Sequence, residues 1–509
     1  MRLPRFRRLL ALAATAALTG STASATWSIV VVNTKTGEVC VAAATCIENF
    51  NLIKDLPVMR VGQGGAVSQG LIDFGAVHRI KIWDGFIAGD TPDEILTTLL
   101  NEGSSVHARQ WGIVDFENDP VTYTGNGAGL EHHGVTGIVG DLRYAIQGNV
   151  ITGDIVVTAA EGALLGAPGD LTQKVMAGME AARVLGGDGR CSCTTGAPFS
   201  CGTPPPDFEK SAHTAFIVTS RMGDVDGGCY WALGCAQEEY YVKLAVSGDS
   251  DDIDPVIQLQ MDYDAWRQGM AGHPDHLLST VTPGATALVA DGATSTEVVV
   301  RLYDVEGDPI LQGGALVTVE TEDGSTPYAT PGAVVDNGDG TYTIPFAAGT
   351  TAGDDTFVIR VDDGAEVATL FPYLELSVDP LTDLHAGVDS LPAAAGGEAP
   401  FVLNLGAAAA GHPYILLGSI SGTVPGIDLG GPILPLNQDW FLTSTLVKAG
   451  TAALPGSVGL LDAGGRAEAS FIAPPGELAP FIGTTIHWAA VDYAGPLAPT
   501  SAVAVEVAP

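Results

Sequence analysis

The chain has 509 residues, of which 46% are hydrophobic and 16% charged, and its formal net charge is −37. This length and apolar content predict about three folded domains and exclude global disorder. Because the charge is strongly negative, we expect no binding to nucleic acid or to anionic membrane surfaces. The 65 glycines and 31 prolines favour many short strands joined by turns.

Residues 1–25 have the pattern of a secretory signal peptide. Four arginines precede an apolar stretch at Leu9–Leu18, and Ala23-Ser24-Ala25 supplies a small-residue cleavage site. The apolar stretch is too short to span a bilayer, and no later run reaches that length. We therefore predict a secreted, periplasmic or cell-surface protein whose mature chain begins at Thr26.

All seven cysteines lie between Cys40 and Cys235. Export permits disulfides, so we expect disulfides rather than a zinc site, with at least one cysteine unpaired. The sequence has no metal-binding motif of the H-E-x-x-H type and no nucleotide-binding loop, so we predict no metal and no cofactor.

The pattern of residues 26–272 indicates one mixed domain. Runs at Thr26–Val32 and Glu38–Ala44 predict a hairpin that starts at the mature terminus. Thr91 and Glu94 predict a capped helix start around Pro92. Further along, strands and helices alternate in blocks, which favours stacked sheets with helices outside over a doubly wound parallel sheet.

The remaining chain reads as strands and turns. Residues 281–378 predict an immunoglobulin-like β-sandwich, residues 379–399 a linker and residues 400–509 a second β-sandwich. The segment Asp336–Thr343 is similar to turns of bacterial invasin-type immunoglobulin-like modules.

Thr26 is the candidate nucleophile. Signal cleavage would leave its α-amino group free, and such a group has a pKa near 8. The amine could then accept a proton while the adjacent hydroxyl attacks a carbonyl, so that one residue supplies both base and nucleophile.

An ordered set of motifs over about residues 26–270 resembles the family called domain of unknown function 1028, which is placed in the N-terminal-nucleophile (Ntn) hydrolase superfamily. The matching segments are Thr26–Val30, Gly37–Val39, Gly64–Gln69, Gln110–Asp115, Thr124–Gly125, Ala145–Asn149, Gly186–Arg190 and Asp252–Val256. The resemblance implies an α+β fold: a four-layer αββα Ntn-hydrolase-like sandwich, here followed by two all-β sandwich domains.

The resemblance also suggests partners for Thr26. Asn149 is the candidate oxyanion donor, or else part of a strand-ending turn. Gln69 is a candidate substrate-binding residue, or it pairs with backbone. Asp188 and Arg190 are candidates to bind substrate, or they form a salt bridge at a turn.

The leading functional hypothesis is an exported Ntn hydrolase that cleaves an amide or related acyl bond in a small-molecule or peptide-like substrate. Its β-sandwiches would contact cell wall or polysaccharide. The alternative is a non-catalytic exported binding or surface protein that retains the fold, and a smaller possibility is a cyclohydrolase-type reaction on the same scaffold.

Overall fold

The computed structural model describes residues 26–379 and 383–509. The predicted signal peptide lies outside the described residues. The chain divides between Gly269 and Met270 into two compact units, close to the end at residue 272 that the sequence predicts for the first domain.

The first unit contains ten strands and seven α-helices among its described residues. The strands are β1 Thr26–Asn33, β2 Glu38–Thr45, β3 Pro57–Arg60, β4 Gly64–Gly70, β5 Arg109–Asp115, β6 Val121–Thr124, β7 His132–Val139, β8 Leu142–Asn149, β9 Thr214–Ser220 and β10 Val242–Ser247. The helices are α1 Leu52–Asp55, α2 Val77–Ala88, α3 Pro92–Leu100, α4 Ile155–Gly166, α5 Leu171–Val184, α6 Gly189–Ser192 and α7 Pro255–Gly269.

These strands form two antiparallel sheets. The six-stranded sheet has the order β10-β9-β2-β1-β8-β7, and the four-stranded sheet has the order β3-β4-β5-β6. Strand β1 lies inside the larger sheet and pairs with β2 on one side and β8 on the other over its whole length. The hairpin predicted at Thr26 is therefore confirmed, and its first strand has no open edge.

Alternation along β1 sends its side chains into two different cores. Trp27, Ile29 and Val31 pack in one apolar cluster with α4, α5 and α7. Val30 and Val32 pack in a second cluster that includes residues of β4 and β5 from the other sheet. Each face of β1 is thus buried, which explains the near-continuous apolar run in this strand.

A third apolar cluster covers the outer face of the four-stranded sheet. It joins β4 and β5 to the helices α2 and α3. Thr91 caps α3 by a reciprocal pair of bonds with Glu94, as the sequence predicts. Both sheets therefore have helices on one face and the partner sheet on the other.

The second unit is built mainly of strands. They are β11 Thr280–Pro283, β12 Ala287–Val289, β13 Ser295–Arg301, β14 Leu316–Thr321, β15 Ala329–Pro331, β16 Val335–Asp336, β17 Thr341–Ala348, β18 Gly353–Asp362, β19 Val367–Thr369, β20 Leu374–Asp379, β21 Leu384–Ala386, β22 Ser390–Pro392, β23 Gly397–Asn404, β24 Pro413–Ser419, β25 Ile427–Asp428, β26 Ile433–Leu434, β27 Val458–Leu460, β28 Arg466–Ala473, β29 Thr485–Asp492, β30 Ala498–Pro499 and β31 Val503–Ala508. One α-helix, α8 Trp440–Lys448, lies among them.

Two five-stranded sheets enclose one core over the predicted sandwich of residues 281–378. A separate core holds the last part of the chain, where Phe401 and Trp488 pack together. This mainly β domain also contains the helix α8, whose Phe441 packs in the same core.

The prediction of a linker at residues 379–399 is wrong in the described part of that segment, which is folded. Strands β21 and β22 form there, and β22 pairs with β31 near the end of the chain. Leu384 and Leu391 are buried in the core of the last domain. The small and turn-forming residues that suggested a linker therefore lie between short strands of a folded domain.

A buried ion pair joins β2 to the segment after β9. Arg221 Nε lies 2.9 Å from Glu38 Oε1, and their side chains are 3% and 1% exposed. The Arg221 guanidinium also stacks over the Tyr241 ring at 3.4 Å. Burial raises the pKa of Glu38, and Arg221 opposes this rise.

Replacing Glu38 with Ala should lower the free energy of unfolding by about 3–5 kcal/mol, because it leaves the buried Arg221 charge without this carboxylate. Glu180→Ala is the matched control, since it breaks an exposed ion pair with Arg183 on α5 and should cost under about 1 kcal/mol. Urea unfolding of the full chain measures both, and equal losses would contradict the prediction.

Candidate active site

Thr26 is the first residue of β1 and is fully buried. It pairs with Thr45 on β2 and with Asn149 on β8. Its Oγ1 donates to Thr45 Oγ1 at 3.2 Å. Because side chains alternate along a strand, Thr26 shares the face of Ser28 and Val30, which is turned toward the four-stranded sheet.

Gln69 and Asn149 both lie beside Thr26. Gln69 reaches across from β4, and its Nε2 donates to the Thr26 carbonyl at 3.1 Å and approaches Asn149 Oδ1 at 3.5 Å. Asn149 Nδ2 donates to the Ala128 carbonyl at 2.8 Å. The structure thus brings the predicted nucleophile, oxyanion candidate and one substrate-binding candidate together. The oxyanion role itself stays a prediction.

Three further polar side chains, which the sequence reading missed, complete a buried network with Gln69. Ser28 Oγ donates to Gln69 Oε1 at 2.7 Å, and Gln147 Nε2 donates to Ser28 Oγ at 2.6 Å. Gln69 Nε2 also donates to Gln110 Oε1 at 2.7 Å. The available signal was a glutamine or serine at a position where strand alternation requires a buried side chain.

The network carries no ionisable side chain. Its members are amides and a hydroxyl, each fully buried. A general base at Thr26 would therefore have to come from elsewhere, and an α-amino group on Thr26 itself is the nearest source that the chemistry offers.

Asp188 and Arg190 reach the same site from the other side. Asp188 is fully buried and caps α6, and it pairs with Arg190, whose Nη2 lies 2.8 Å from Asp188 Oδ2. Arg190 Nη2 also donates to Thr45 Oγ1 at 3.5 Å. The structure therefore contains the salt bridge at a turn, which was one of the two alternatives, and it also places Arg190 beside Thr45. The substrate-binding role of the pair stays a prediction.

A disulfide fixes this segment to the six-stranded sheet. Cys46 follows β2 directly and is bonded to Cys191 in α6. The backbone N–H of Cys46 also donates to Asp188 Oδ2 at 2.7 Å. Arg190 is thus held next to Thr45 by one covalent and one polar connection.

The other cysteines follow the expectation of disulfides with one left over. Cys193 is bonded to Cys201 and Cys229 to Cys235, while Cys40 is a buried free thiol. Burial raises the pKa of the Cys40 thiol, so it is a poor nucleophile. His213 lies near Cys46 and Cys191, but their disulfide leaves no thiolate pair to bind a metal ion.

A buried charged cluster fixes the loop that follows Gln69. Asp73 Oδ2 accepts the backbone N–H groups of His78 and Arg79 at 2.8 and 3.1 Å, and Arg109 lies 3.8 Å from the other oxygen. Burial alone would raise the pKa of Asp73. Hydrogen bonds from His78 and Arg79, with the charge of Arg109, instead lower it to about 2.

Residues 26–197 match the model of DUF1028, a family of unknown function. Residues 275–370 match the model of the third domain of invasin. The resemblance to this family is therefore confirmed over residues 26–197, and so is the likeness of the second domain to invasin-type modules. The Ntn-hydrolase fold stays a prediction.

Among solved structures, a DUF1028 protein from Silicibacter pomeroyi is 15% identical, with 48% of this chain and 86% of that chain covered and a TM-score of 0.35. The adhesin InvE of Yersinia pseudotuberculosis is 17% identical, with coverages of 45% and 59% and a TM-score of 0.17. Invasin, described as a bacterial integrin-binding protein, is 12% identical, with coverages of 77% and 56% and a TM-score of 0.19. The chain thus spans under two thirds of either adhesin structure.

Within residues 26–379 and 383–509, no helix is both long and apolar enough to cross a membrane.

Replacing Asp73 with Asn should destabilise the chain at pH 7 by about 2 kcal/mol, from the pKa of about 2 against an ordinary 3.8. The folded-state pKa is lowered, so this stabilisation is present above pH 4 and is lost as the pH falls toward 2. The unfolding free energies of the wild type and of Asp73→Asn should therefore converge as the pH is lowered from 7 to 2. Asp84→Asn, at an exposed position of α2, is the control, and a loss that is constant with pH would contradict the prediction.

Proposed function

We propose that this chain is an exported hydrolase of the N-terminal-nucleophile type, with Thr26 as nucleophile and its α-amino group as base. The observation that carries the proposal is the place of Thr26. It is the buried first residue of an inner strand, and its hydroxyl bonds to Thr45 beside Asn149 and Gln69. An amide or related acyl bond is the expected target.

The proposed chemistry uses one residue for two tasks. The free amine takes the hydroxyl proton, directly or through water, as Oγ1 attacks the substrate carbonyl carbon. The oxyanion would be held by an N–H of Asn149 or of backbone. Collapse breaks the scissile bond, the protonated amine returns the proton to the leaving group, and water then hydrolyses the acyl-threonine ester.

The order of sheets and helices in the first unit supports this proposal. Two antiparallel sheets pack face to face, and each carries helices on its outer face. We infer that this is the four-layer αββα sandwich of the Ntn class, with the nucleophile at the head of a central strand.

Export is the second part of the proposal. Residues 1–25 have the basic, apolar and small-residue order of a signal peptide. Three disulfides in the first unit fit an oxidising compartment. The invasin-like region would then place the hydrolase against a cell wall, polysaccharide or other surface.

Thr26→Ala should abolish acylation by p-nitrophenyl acetate. In the secreted wild type, intact mass should give Thr26 as the first residue, and peptide mapping should find an ester on its Oγ1. The rate of p-nitrophenol release should fall by about 10³-fold or more in the variant, because the nucleophile is gone. Thr26→Ser should retain the reaction, and Thr36→Ala, in a turn, is the control. Ester formation that persists in Thr26→Ala would count against the hydrolase.

The acylation rate should rise with pH, reach half of its maximum near pH 8 and level off about one pH unit above that. The reactive form carries a neutral amine, whose ordinary pKa is 7.7–8.0, so the rate is low below that pH. A chain processed to begin at Ala25 is the matched control, because its Thr26 nitrogen is an amide. If that longer chain reacts at the same rate, the amine is not the base.

The match to invasin favours a second candidate, a non-catalytic surface protein. If wild type and Thr26→Ala both bind cell-wall or polysaccharide preparations and neither is acylated, this candidate replaces the hydrolase. If the wild type is acylated and Thr26→Ala is not, the result supports the proposed hydrolase, whether or not the chain also binds these preparations.

A further inference from the structure

Thr214 presents a buried hydroxyl to which no described residue bonds. The residue is fully buried, and its Oγ1 makes no hydrogen bond to residues 26–379 or 383–509. A buried hydroxyl in that state costs free energy unless something bonds to it. The position of Thr214 in the sheet shows which other side chains a ligand bonded to this hydroxyl would contact.

Thr214 lies in line with the proposed nucleophile. It pairs with Thr45 across β9 and β2, and Thr45 pairs with Thr26 across β2 and β1. Side chains that are directly opposite in adjacent strands point to the same face. The three hydroxyls therefore form a row that leads away from Thr26, on the face turned toward the other sheet.

Arg190 lies beside the middle of this row, where its Nη2 reaches Thr45 Oγ1. Asp188 accepts from Arg190 Nε at 3.2 Å and from Nη2 at 2.8 Å, which orients the guanidinium. The Arg190 side chain is 17% exposed while that of Asp188 is fully buried, so the arginine is the part of the pair that meets solvent.

We propose that Arg190, Thr45 and Thr214 form a subsite for a carboxylate next to Thr26. This rests on the proposed function, because it assigns a substrate class to that site. A carboxylate only accepts hydrogen bonds, and a guanidinium with two hydroxyls offers donors to it. Asp188 is the positioning residue of the subsite, since it bonds to Arg190 and to the Cys46 backbone.

The substrate class that follows is an amide whose acyl half ends in a free carboxylate. Arg190 is two hydrogen-bond steps from Thr26 Oγ1, through Thr45. The scissile carbonyl and the carboxylate must therefore be joined by a short chain, as in a half-amide of succinate or glutarate.

Binding can be tested apart from catalysis. Mature full-length Thr26→Ala is titrated by calorimetry with succinate or glutarate, and with succinamide or glutaramide at matched ionic strength. We expect the dicarboxylates to bind and the neutral diamides not to. Thr214→Val should weaken binding by about tenfold through the loss of one charge-assisted hydrogen bond, and Thr214→Ser should restore it.

Arg190→Gln should abolish the binding, and Arg190→Lys should leave it weak because the planar fork is lost. Arg183→Gln is the matched control, because this arginine of α5 is 19% exposed and pairs with Glu180 away from the row of hydroxyls, and it should bind as the parent does. Circular dichroism and thermal melting of each variant show whether it is folded.

In the wild type, glutarate should also slow acylation of Thr26 by p-nitrophenyl acetate, and should not slow it in Arg190→Gln. Equal binding of diamides, or glutarate binding that survives Arg190→Gln, would overturn the subsite. If the wild type binds glutarate but is not acylated, the result would instead contradict the proposed hydrolase activity and support the carboxylate subsite.

Discussion

The backbone ladder on both sides of Thr26 is the constraint on which the site depends. The first residue of a chain usually frays, because it lacks neighbours that hold it. Here β1 is an inner strand, and its first residue pairs with both Thr45 and Asn149. The hydroxyl and the nitrogen of Thr26 are thereby fixed relative to two other strands before any substrate binds.

The same ladder determines which side chains surround Thr26. Strand alternation directs Trp27 into the core beneath the helices and Thr26 into the space between the sheets. There the inner faces of β4, β5 and β8 contribute Gln69, Gln110 and Gln147. Gln69 bonds to Gln110 directly and to Gln147 through Ser28. Because these side chains carry no charge, this part of the site is polar without offering a base. Charged groups are placed around it, with Asp188 and Arg190 on one side and the Asp73 cluster beyond Gln69.

Local features of this fold could be predicted from the sequence. The hairpin after Thr26 and the capped start of α3 at Thr91 each follow from short-range patterns. The family motifs also selected Thr26, Gln69, Asn149, Asp188 and Arg190, which the structure places around one point. What links these residues is proximity in the fold, not proximity in the chain.

The parts that sequence reasoning missed depend on distant packing. Ser28, Gln110 and Gln147 meet only when the two sheets stack, and the pairing of Cys46 with Cys191 spans 145 residues. In the last domain, the segment predicted as a linker contains the strand β22, which pairs with β31 near the end of the chain. Helix α8 was missed for a similar reason, since it is short and is stabilised by inserting Phe441 into a β-sheet core.

Under the proposed mechanism, the chemistry of Thr26 sets a condition on when the chain could act as a hydrolase. While Ala25 is attached, the Thr26 nitrogen is an amide, which has no basic lone pair at neutral pH. The neighbouring amides of the network cannot replace it as a base. Removal of the first 25 residues would therefore create the base in a site that the sheets have already shaped, and would confine activity to the chain after processing.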